Sequence, residues 1–266
     1  MKIIVSHDVD HLNVTEHWKD LIIPKLVLRS SIEYAKGYIS TGELKGRISG
    51  LFSNKLQNLE ELMQFDKKHG IPSTFFVGVE NGLGLSYPFK KACNWISRIE
   101  ENGFDVGVHG IHFDNLTKVI EEKKKFGEIV KTKRFGIRLH YLRRTERTGE
   151  YLAQAGYIFD SSEYALKNPY KVGKMWEFPL HMMDTYLIST NGLQSGNLKE
   201  IKAKTLSLFK KALNLHLMYF SILFHDVYYS NYYSVWKAWY EWFIKWVKLK
   251  DIEFISFSKA IEEIAQ

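Results

Sequence analysis

The chain has 266 residues, of which 45% are hydrophobic and 15% aromatic, and its 37 Lys and Arg residues exceed 30 Asp and Glu residues for a net charge of +7. This length can bury a full core in one large α/β domain or two small ones. The single cysteine, Cys93, excludes an intrachain disulfide and a cysteine-rich zinc site, and its apolar neighbours favour a buried thiol over a reactive one.

The start of the chain does not resemble a signal peptide, because Lys2 precedes only three apolar residues before a polar cluster. The apolar stretches are also too short and interrupted to span a bilayer. We therefore expect a cytoplasmic protein. The modest positive charge would suit an anionic substrate or a membrane surface, but it is weak evidence for either, and we expect no nucleic-acid partner.

In chain order, short β-branched and aromatic runs alternate with longer amphipathic segments. Strands are predicted at 3–6, 73–78, 105–109, 135–140, 157–160, 176–180, 220–225 and 253–257, and helices at 56–69, 89–102, 116–131, 146–155, 198–215 and 234–248. This alternation predicts a parallel sheet. Seven or eight such units favour a single distorted (β/α)7–8 barrel over residues 1–266.

Two stretches interrupt this rhythm. Residues 12–52 form an insertion after the first strand, which could pack on the barrel, form a lid or touch a membrane, and packing is favoured. Residues 78–84 are glycine-rich but lack a complete phosphate-binding fingerprint, so they predict a turn. In the helix at 234–248, Trp236 and its apolar neighbours at helical spacing indicate core packing, not a sugar platform.

Polar side chains with catalytic or metal-binding chemistry follow several of the predicted strands. They are His7, Asp8 and Asp10 after the first strand, His109 after the third, Arg138 and His140 at the fourth, Asp160 at the fifth and His225 at the seventh. In a β/α barrel the carboxyl ends of the strands converge on one mouth, where such enzymes keep their chemistry. Any one of these residues could be structural, but their joint occurrence predicts an active site.

The same segments, in the same order, resemble the polysaccharide deacetylase superfamily with the NodB homology domain, which is carbohydrate esterase family 4-like. They are HDVD at 7–10, STFFV at 73–77, DVGVHG at 105–110, an Arg at 138, YIFDSS at 157–162 and LFH at 223–225. HDVD, together with RLHYLR at 138–143 and EFPLHMMD at 177–184, is more similar to the branch found in bacterial surface-polysaccharide gene clusters.

This resemblance implies a role for each catalytic candidate. Asp8 would be the general base and Asp10 a metal ligand, although Val9 separates two acids that are usually adjacent, and their roles could be exchanged. Arg138 would orient the base, and His225 would be the general acid, with Asp160 as its hydrogen-bond partner. Asp160 could alternatively cap a helix.

The resemblance also implies a divalent metal, zinc first, with iron, cobalt or nickel as alternatives, and no organic cofactor. The metal ligands would be Asp10, His109 and His112. His112 departs from the family pattern, because the second histidine usually follows the first by four residues, where this chain has Phe113. His140, His7 or His11 could supply the third ligand instead, and the loss could also abolish metal binding.

The expected substrate is an N-acetylated sugar, nucleotide-linked or lipid-diphosphate-linked, used in O-antigen or capsule synthesis. Its candidate contacts are His140, His181, Asp184 and Tyr228. His181 and Asp184 could equally cap or hydrogen-bond locally, and Tyr228 begins a tyrosine-rich segment after His225 that could stack on sugar rings. Peripheral membrane contact is left open, and the oligomeric state is not predicted.

Three classes of function follow from these features. The first is a metal-dependent carbohydrate N-deacetylase. The second is a metal-independent amide hydrolase on the same barrel, and the third is an inactive barrel that binds sugar or a partner enzyme. A glycosidase using Asp8 or Glu177 is a more distant alternative, since the separation of two carboxylates cannot be read from sequence.

Overall fold

A computed structural model of the chain describes residues 1–265. In this part of the chain, nine strands form one sheet in the order β6-β7-β5-β4-β3-β2-β1-β11-β8, and β9 and β10 form a separate hairpin. The strands are β1 Lys2–Val9, β2 Thr74–Val77, β3 Asp105–Gly110, β4 Ile137–Leu139, β5 Phe159–Asp160, β6 Tyr170–Val172, β7 Met175–Glu177, β8 Met182–Met183, β9 Ser189–Thr190, β10 Leu193–Gln194 and β11 Tyr219–Leu223.

Helices cover the outer face of this sheet and connect most of its parallel strands, whereas the last helix packs against the inner core beside Ile4. They are α1 Ile22–Ala35, α2 Thr41–Gly50, α3 Leu59–His69, α4 Phe89–Glu101, α5 Leu116–Gly127, α6 Thr148–Ala155, α7 Asp184–Ile188, α8 Leu198–Asn214, α9 Ser234–Leu249 and α10 Phe257–Ile264. Among residues 1–265, no helix is both long enough and apolar enough to cross a membrane.

The predicted mixed α/β fold is confirmed, but the closed barrel is not. The sheet is a curled half-barrel whose edge strands β6 and β8 do not pair with each other within the described residues. The strand predicted at 253–257 is reduced to a single bridge between Phe254 and Ile3. This segment lies beside β1 in the interior of the sheet, and α10 begins at Phe257, so the last predicted unit adds no strand at either edge.

The six predicted helices all form within a few residues of their expected limits. α3 and α6 end on Gly70 and Gly156, both with left-handed backbone that glycine adopts without strain. The insertion holds two further helices, α1 and α2, that the sequence analysis did not predict. α2 begins at a capping box in which Ser40 and Glu43 satisfy each other's backbone N–H groups.

Alternation along the strands separates the two faces of the sheet. Ile3 and Val5 join the larger core beneath the helices, whereas Ile4 packs inside the curl with Phe76 and Phe159. Successive side chains of a strand point to opposite faces. Ser6, Asp8 and Asp10 therefore follow Ile4 on the inner face, and this side of the sheet carries the candidate site.

The interpretation of helix α9 as core is confirmed. Trp236, Trp239, Tyr240, Phe243 and Val247 are fully buried and pack against the outer face of the sheet. Each such side chain contributes roughly 1.5–3 kcal/mol by leaving water. The aromatic stripe is thus part of the scaffold.

Candidate functional site

The carboxyl ends of five strands, β4, β3, β1, β11 and β8, meet around one cavity of about 640 Å³. Parallel register places His109 of β3 beside Arg138 of β4, and it places the end of β1 between β2 and β11. The sequence-predicted residues that line the cavity are Asp8, Asp10, His109, His140, His225 and Tyr228. The predicted convergence of these strand ends is therefore observed.

Asp10, His109 and His140 form a compact triad of potential metal ligands. His109 Nε2 lies 3.0 Å from Asp10 Oδ1 and 2.9 Å from His140 Nδ1, and His140 Nδ1 lies 3.4 Å from the same Asp10 oxygen. A tetrahedral zinc ion with bonds of about 2.0–2.1 Å separates its ligand atoms by roughly 3.3 Å. The triangle of donor atoms has the size of one face of such a site.

Hydrogen bonds on the far side of each ring orient the two imidazoles of the triad. His109 Nδ1 lies 3.1 Å from the carbonyl of Arg138, and His140 Nε2 lies 3.3 Å from the carbonyl of Leu83. A cation bound at the shared point would leave the proton of each ring on these nitrogens and turn the lone pairs of His109 Nε2 and His140 Nδ1 towards it, beside Asp10. Two lone pairs and a carboxylate at one point create a site that fits a cation.

Burial alone would raise the pKa of Asp10, but hydrogen bonds with His109 and His140 hold it well below its ordinary value. Burial likewise opposes a charge on His109, yet the nearby Asp8 and Asp10 carboxylates raise its pKa above the usual range. The electrostatics of the triad thus favour a cation beside two carboxylates.

The structure does not bring the predicted ligand His112 into this group. The backbone N–H groups of Ile111 and His112 donate to the two carboxylate oxygens of Glu122 on α5, over 2.9 and 3.2 Å. Phe113 lies under the guanidinium of Arg143, 4.8 Å from its ring centroid. These contacts fix the loop after β3 in a turn, and His140 from the neighbouring strand occupies the third position of the triad.

Two other candidate ligands also have different places. His7 points to the outer face, where its Nε2 lies 2.9 Å from Asp66 and its Nδ1 lies 2.8 Å from the carbonyl of Phe224. His11 lines the cavity but packs edge-on against His17 at 4.7 Å. Neither joins the triad, so only His140 of the alternatives left open by the sequence meets its geometry among residues 1–265.

Asp8 is held by the buried guanidinium of Arg138. The Nη1 of Arg138 donates to Asp8 Oδ1 over 3.2 Å and to Ser6 Oγ over 2.7 Å, and its Nε and Nη2 donate to Ser161. With every nitrogen of the fork engaged, the guanidinium has one orientation, and its charge complements the buried carboxylate. Asp8 is thereby fixed with one oxygen on the arginine and the other 3.9 Å from His109 Nδ1.

His225 is held on the opposite side of the cavity by Asp184. Its Nδ1 lies 2.8 Å from Asp184 Oδ1, and its backbone N–H donates to Asp184 Oδ2 over 2.7 Å. Burial alone would lower the pKa of His225, but the Asp184 carboxylate raises it to about 10. The free Nε2 lies 3.7 Å from Asp10 Oδ2, so it faces the triad.

The predicted partner of His225, Asp160, is elsewhere, and this expectation is corrected. Asp160 lies on β5, where it accepts a hydrogen bond from Ser162 Oγ and pairs in register with Glu177. Burial raises the pKa of both carboxyl groups, and the neighbouring Asp160 carboxylate raises the pKa of Glu177 further. Strand order gives the reason: β5 is separated from β11 by four strands, whereas β8, which leads directly into Asp184, is adjacent to β11.

His181 is also corrected from a substrate contact to a structural residue. It is buried, its Nδ1 accepts from the backbone N–H of Ser221 over 2.9 Å, and its Nε2 lies 3.0 Å from the carbonyl of Lys167. Both ring nitrogens are used, and the side chain does not line the cavity. It ties the segment before β8 to β11.

Aromatic side chains form the outer wall of the cavity. Tyr228 stacks on Trp236 with ring centroids 3.9 Å apart, and Tyr141 and Tyr186 also line the wall. Tyr141 and Leu142 have φ values of 58° and 53°, a left-handed backbone that costs non-glycine residues energy. The sequence analysis missed Tyr141 and Tyr186, and the only signal for Tyr141 is its position directly after His140.

No protein-family model matches the chain, and no curated protein matches its sequence. Solved structures do match its fold. A candidate polysaccharide deacetylase from Mycobacterium smegmatis is 17% identical, with a TM-score of 0.66 over 99% of this chain and 89% of that one. A CE4 esterase from Streptococcus mutans is 11% identical, with a TM-score of 0.51 over 96% of this chain and 85% of that one.

A third match comes from another class of glycan enzyme. The GH57 branching enzyme from Thermococcus kodakaraensis is 11% identical, with a TM-score of 0.51 over 98% of this chain and 71% of that one. At these identities the likeness concerns the fold. It shows that the chain has the fold that these enzymes share, which is the fold that the sequence resemblance implies.

Proposed function

Because the chain has the polysaccharide deacetylase fold, we propose that it is a metal-dependent hydrolase that removes an N-acetyl group from a sugar. The observation that carries this proposal is the arrangement within one cavity. A carboxylate fixed by an arginine and an imidazole fixed by a second carboxylate flank a triad of metal-type ligands. Amide hydrolysis needs a base, an acid and a means of polarising the carbonyl, and these three elements supply them.

Asp10, His109 and His140 would hold the metal. One carboxylate and two imidazoles suit zinc, with iron, cobalt or nickel as alternatives. A divalent cation bound there would polarise the acetyl carbonyl and lower the pKa of water. The backbone carbonyls behind both rings keep the opposite ring nitrogens aimed at the shared point.

Asp8 serves as the general base in this proposal. It accepts a proton from the water that attacks the acetyl carbonyl, while Arg138 holds its carboxylate in place. His225 then donates its Nε2 proton to the departing sugar amine, with Asp184 holding the opposite ring nitrogen. The C–N bond breaks, the water oxygen stays on the acetyl carbon, and the products are acetate and a free amine.

The biological setting of this reaction is proposed on the sequence resemblance. HDVD at 7–10 and RLHYLR at 138–143 are similar to the surface-polysaccharide branch of the superfamily. An O-antigen or capsule precursor in the cytoplasm, carrying an N-acetylated sugar, is the substrate that this similarity supports.

Metal content and acetate release test the proposal, with His140→Ala compared with the matched control His112→Ala. Elemental mass spectrometry should find about one metal equivalent in the wild type and in His112→Ala, and far less in His140→Ala. Of these two histidines, His140 belongs to the triad and His112 does not. Asp8→Asn should keep the metal and lose acetate release from N-acetylated sugars.

Two outcomes would contradict these assignments. Loss of metal in His112→Ala with retention in His140→Ala would show that the loop after β3 supplies the ligand. No metal in any of the proteins after addition of zinc or cobalt would favour the metal-independent hydrolase.

A further inference from the structure

The insertion between β1 and α3 brings a cation to the wall of the candidate site. Arg29 of α1 lines the 640 Å³ cavity that contains the triad, and its side chain is 29% exposed. It also lines an adjoining cavity of about 170 Å³, whose wall includes Lys25. His11 and Tyr228 belong to both cavities, so the two spaces are neighbours around Arg29.

The charges around Arg29 do not cancel. The buried carboxylate of Glu33 lies 2.9 Å from Arg29 Nε and 2.5 Å from Arg47 Nη1, so one negative charge faces two guanidiniums that stay protonated. Arg47 is buried and donates to the carbonyl of Tyr232 and to Gln194. Since Arg47 is enclosed, the excess positive charge of the cluster is exposed at Arg29.

The carboxylates that line the cavity do not neutralise this charge. Asp8 is paired with Arg138, and Asp10 belongs to the triad with His109 and His140. Arg29 therefore faces the cavity with only the Glu33 carboxylate, which it shares with Arg47, to balance its charge.

Arg29 and Tyr228 also have donor capacity left for a ligand. The Nη1 of Arg29 lies 3.4 Å from the Tyr228 hydroxyl, and its Nη2 makes no hydrogen bond to any of residues 1–265. The hydroxyl accepts from Arg29 and keeps its own hydrogen to donate. Stacking on Trp236 fixes the Tyr228 ring, so the hydroxyl is presented at a defined position.

We propose that Arg29 and Tyr228 form a subsite for an oxyanion, phosphate or carboxylate, carried by the sugar that is deacetylated. This inference rests on the proposed function and narrows its substrate class to anionic N-acetylated sugars. A guanidinium with free N–H groups recognises the oxygens of a phosphate or carboxylate by charge-assisted hydrogen bonds. The insertion thereby selects the substrate, while the strand ends carry out the chemistry.

The test compares three sugars on the zinc-loaded protein: N-acetylglucosamine, N-acetylglucosamine 1-phosphate and N-acetylmuramic acid. Arg29→Met should lower kcat/KM for an anionic sugar about 10- to 100-fold and for the neutral sugar by less than about threefold. Arg29→Lys should retain part of the preference. Lys36→Met, which removes an exposed charge at the end of α1, is the matched control and should change neither value.

Comparison of the two anionic sugars identifies the oxyanion that the subsite binds. It is a phosphate if Arg29→Met lowers kcat/KM for N-acetylglucosamine 1-phosphate, and a carboxylate if it lowers kcat/KM for N-acetylmuramic acid. If Arg29→Met does not fold by circular dichroism, Tyr228→Phe removes one donor and should show the same selective loss. Equal losses on neutral and anionic sugars, or a wild-type preference for the neutral sugar, would overturn the proposal.

Failure of the proposed function is distinguishable from failure of the subsite. If the wild type releases acetate from none of the sugars, isothermal titration with N-acetylglucosamine 1-phosphate decides the matter. Binding by the wild type that weakens at least about tenfold in Arg29→Met supports the subsite without deacetylation. Equal binding by both proteins, or no binding by the wild type, rules the subsite out.

Discussion

Substitution of Asp66 tests the network that supports the candidate site from behind. Asp66 lies on α3 and is fully buried, and its carboxylate accepts hydrogen bonds from Tyr240 over 2.6 Å, from His7 over 2.9 Å and from Ser73. His7 also bonds the carbonyl of Phe224. One carboxylate therefore joins β1, the residue before β2, α3 and α9 directly behind Asp8 and His225.

The expected cost follows from the donors that Asp66→Ala leaves without a partner. Each buried donor that loses its acceptor costs roughly 1–3 kcal/mol, and breaking a buried ion pair costs about 3–5 kcal/mol. With three donors affected, we expect the free energy of unfolding to fall by about 3–6 kcal/mol. Folded proteins of this kind are stable by only about 5–15 kcal/mol, so the variant should be close to unfolding.

Urea denaturation followed by tryptophan fluorescence measures this loss, since the chain has seven tryptophans. Tyr240→Phe is the matched variant, because it removes one hydroxyl and keeps the ring and the carboxylate, and it should cost about 1–2 kcal/mol. A loss below about 1 kcal/mol in Asp66→Ala, or equal losses in both variants, would refute the reasoning that the carboxylate holds several donors at once.

Two further predictions concern the partner of the proposed general acid and the close packing within the sheet. Asp184→Asn should lower kcat roughly 10- to 100-fold in acetate-release assays with unchanged metal content, because the amide removes the negative charge beside His225 and one of the two oxygens that accept from it; unaltered turnover would contradict this role. Gly136→Ala should destabilise the fold by about 1–3 kcal/mol, because the new Cβ would lie 2.4 Å from a buried phenylalanine ring. Gly50→Ala, where nothing lies within 4 Å, should be neutral or stabilising by about 0.5–1 kcal/mol in thermal melts, and equal effects at both glycines would argue against this packing.

The sequence determined which residues could take part in the chemistry. Parallel strands with polar carboxyl ends had to place Asp8, Asp10, His109 and His225 at one edge of the sheet, and they do. Strand alternation carries more information than the polar pattern alone. His7 has the opposite parity to Asp8, so it could have been assigned to the outer face, where the structure places it.

The choice among equivalent residues was decided by tertiary structure. His112 and His140 both follow a strand, but the first is fixed in a turn by Glu122 and the second faces His109 across neighbouring strands. No local pattern encodes that difference, because it depends on contacts with residues distant in the sequence.

Strand order explains the remaining differences. Asp160 ends β5 and Asp184 directly follows β8, and either carboxylate could in principle pair with His225. Of these two strands, β8 lies beside β11 and β5 does not, so Asp184 reaches His225. The same order leaves the sheet open, since its edge strands β6 and β8 do not pair with each other among residues 1–265. Local propensity and alternation act over a few residues and can be read from the sequence, whereas the pairing of strands far apart in the chain is settled by packing of the whole fold.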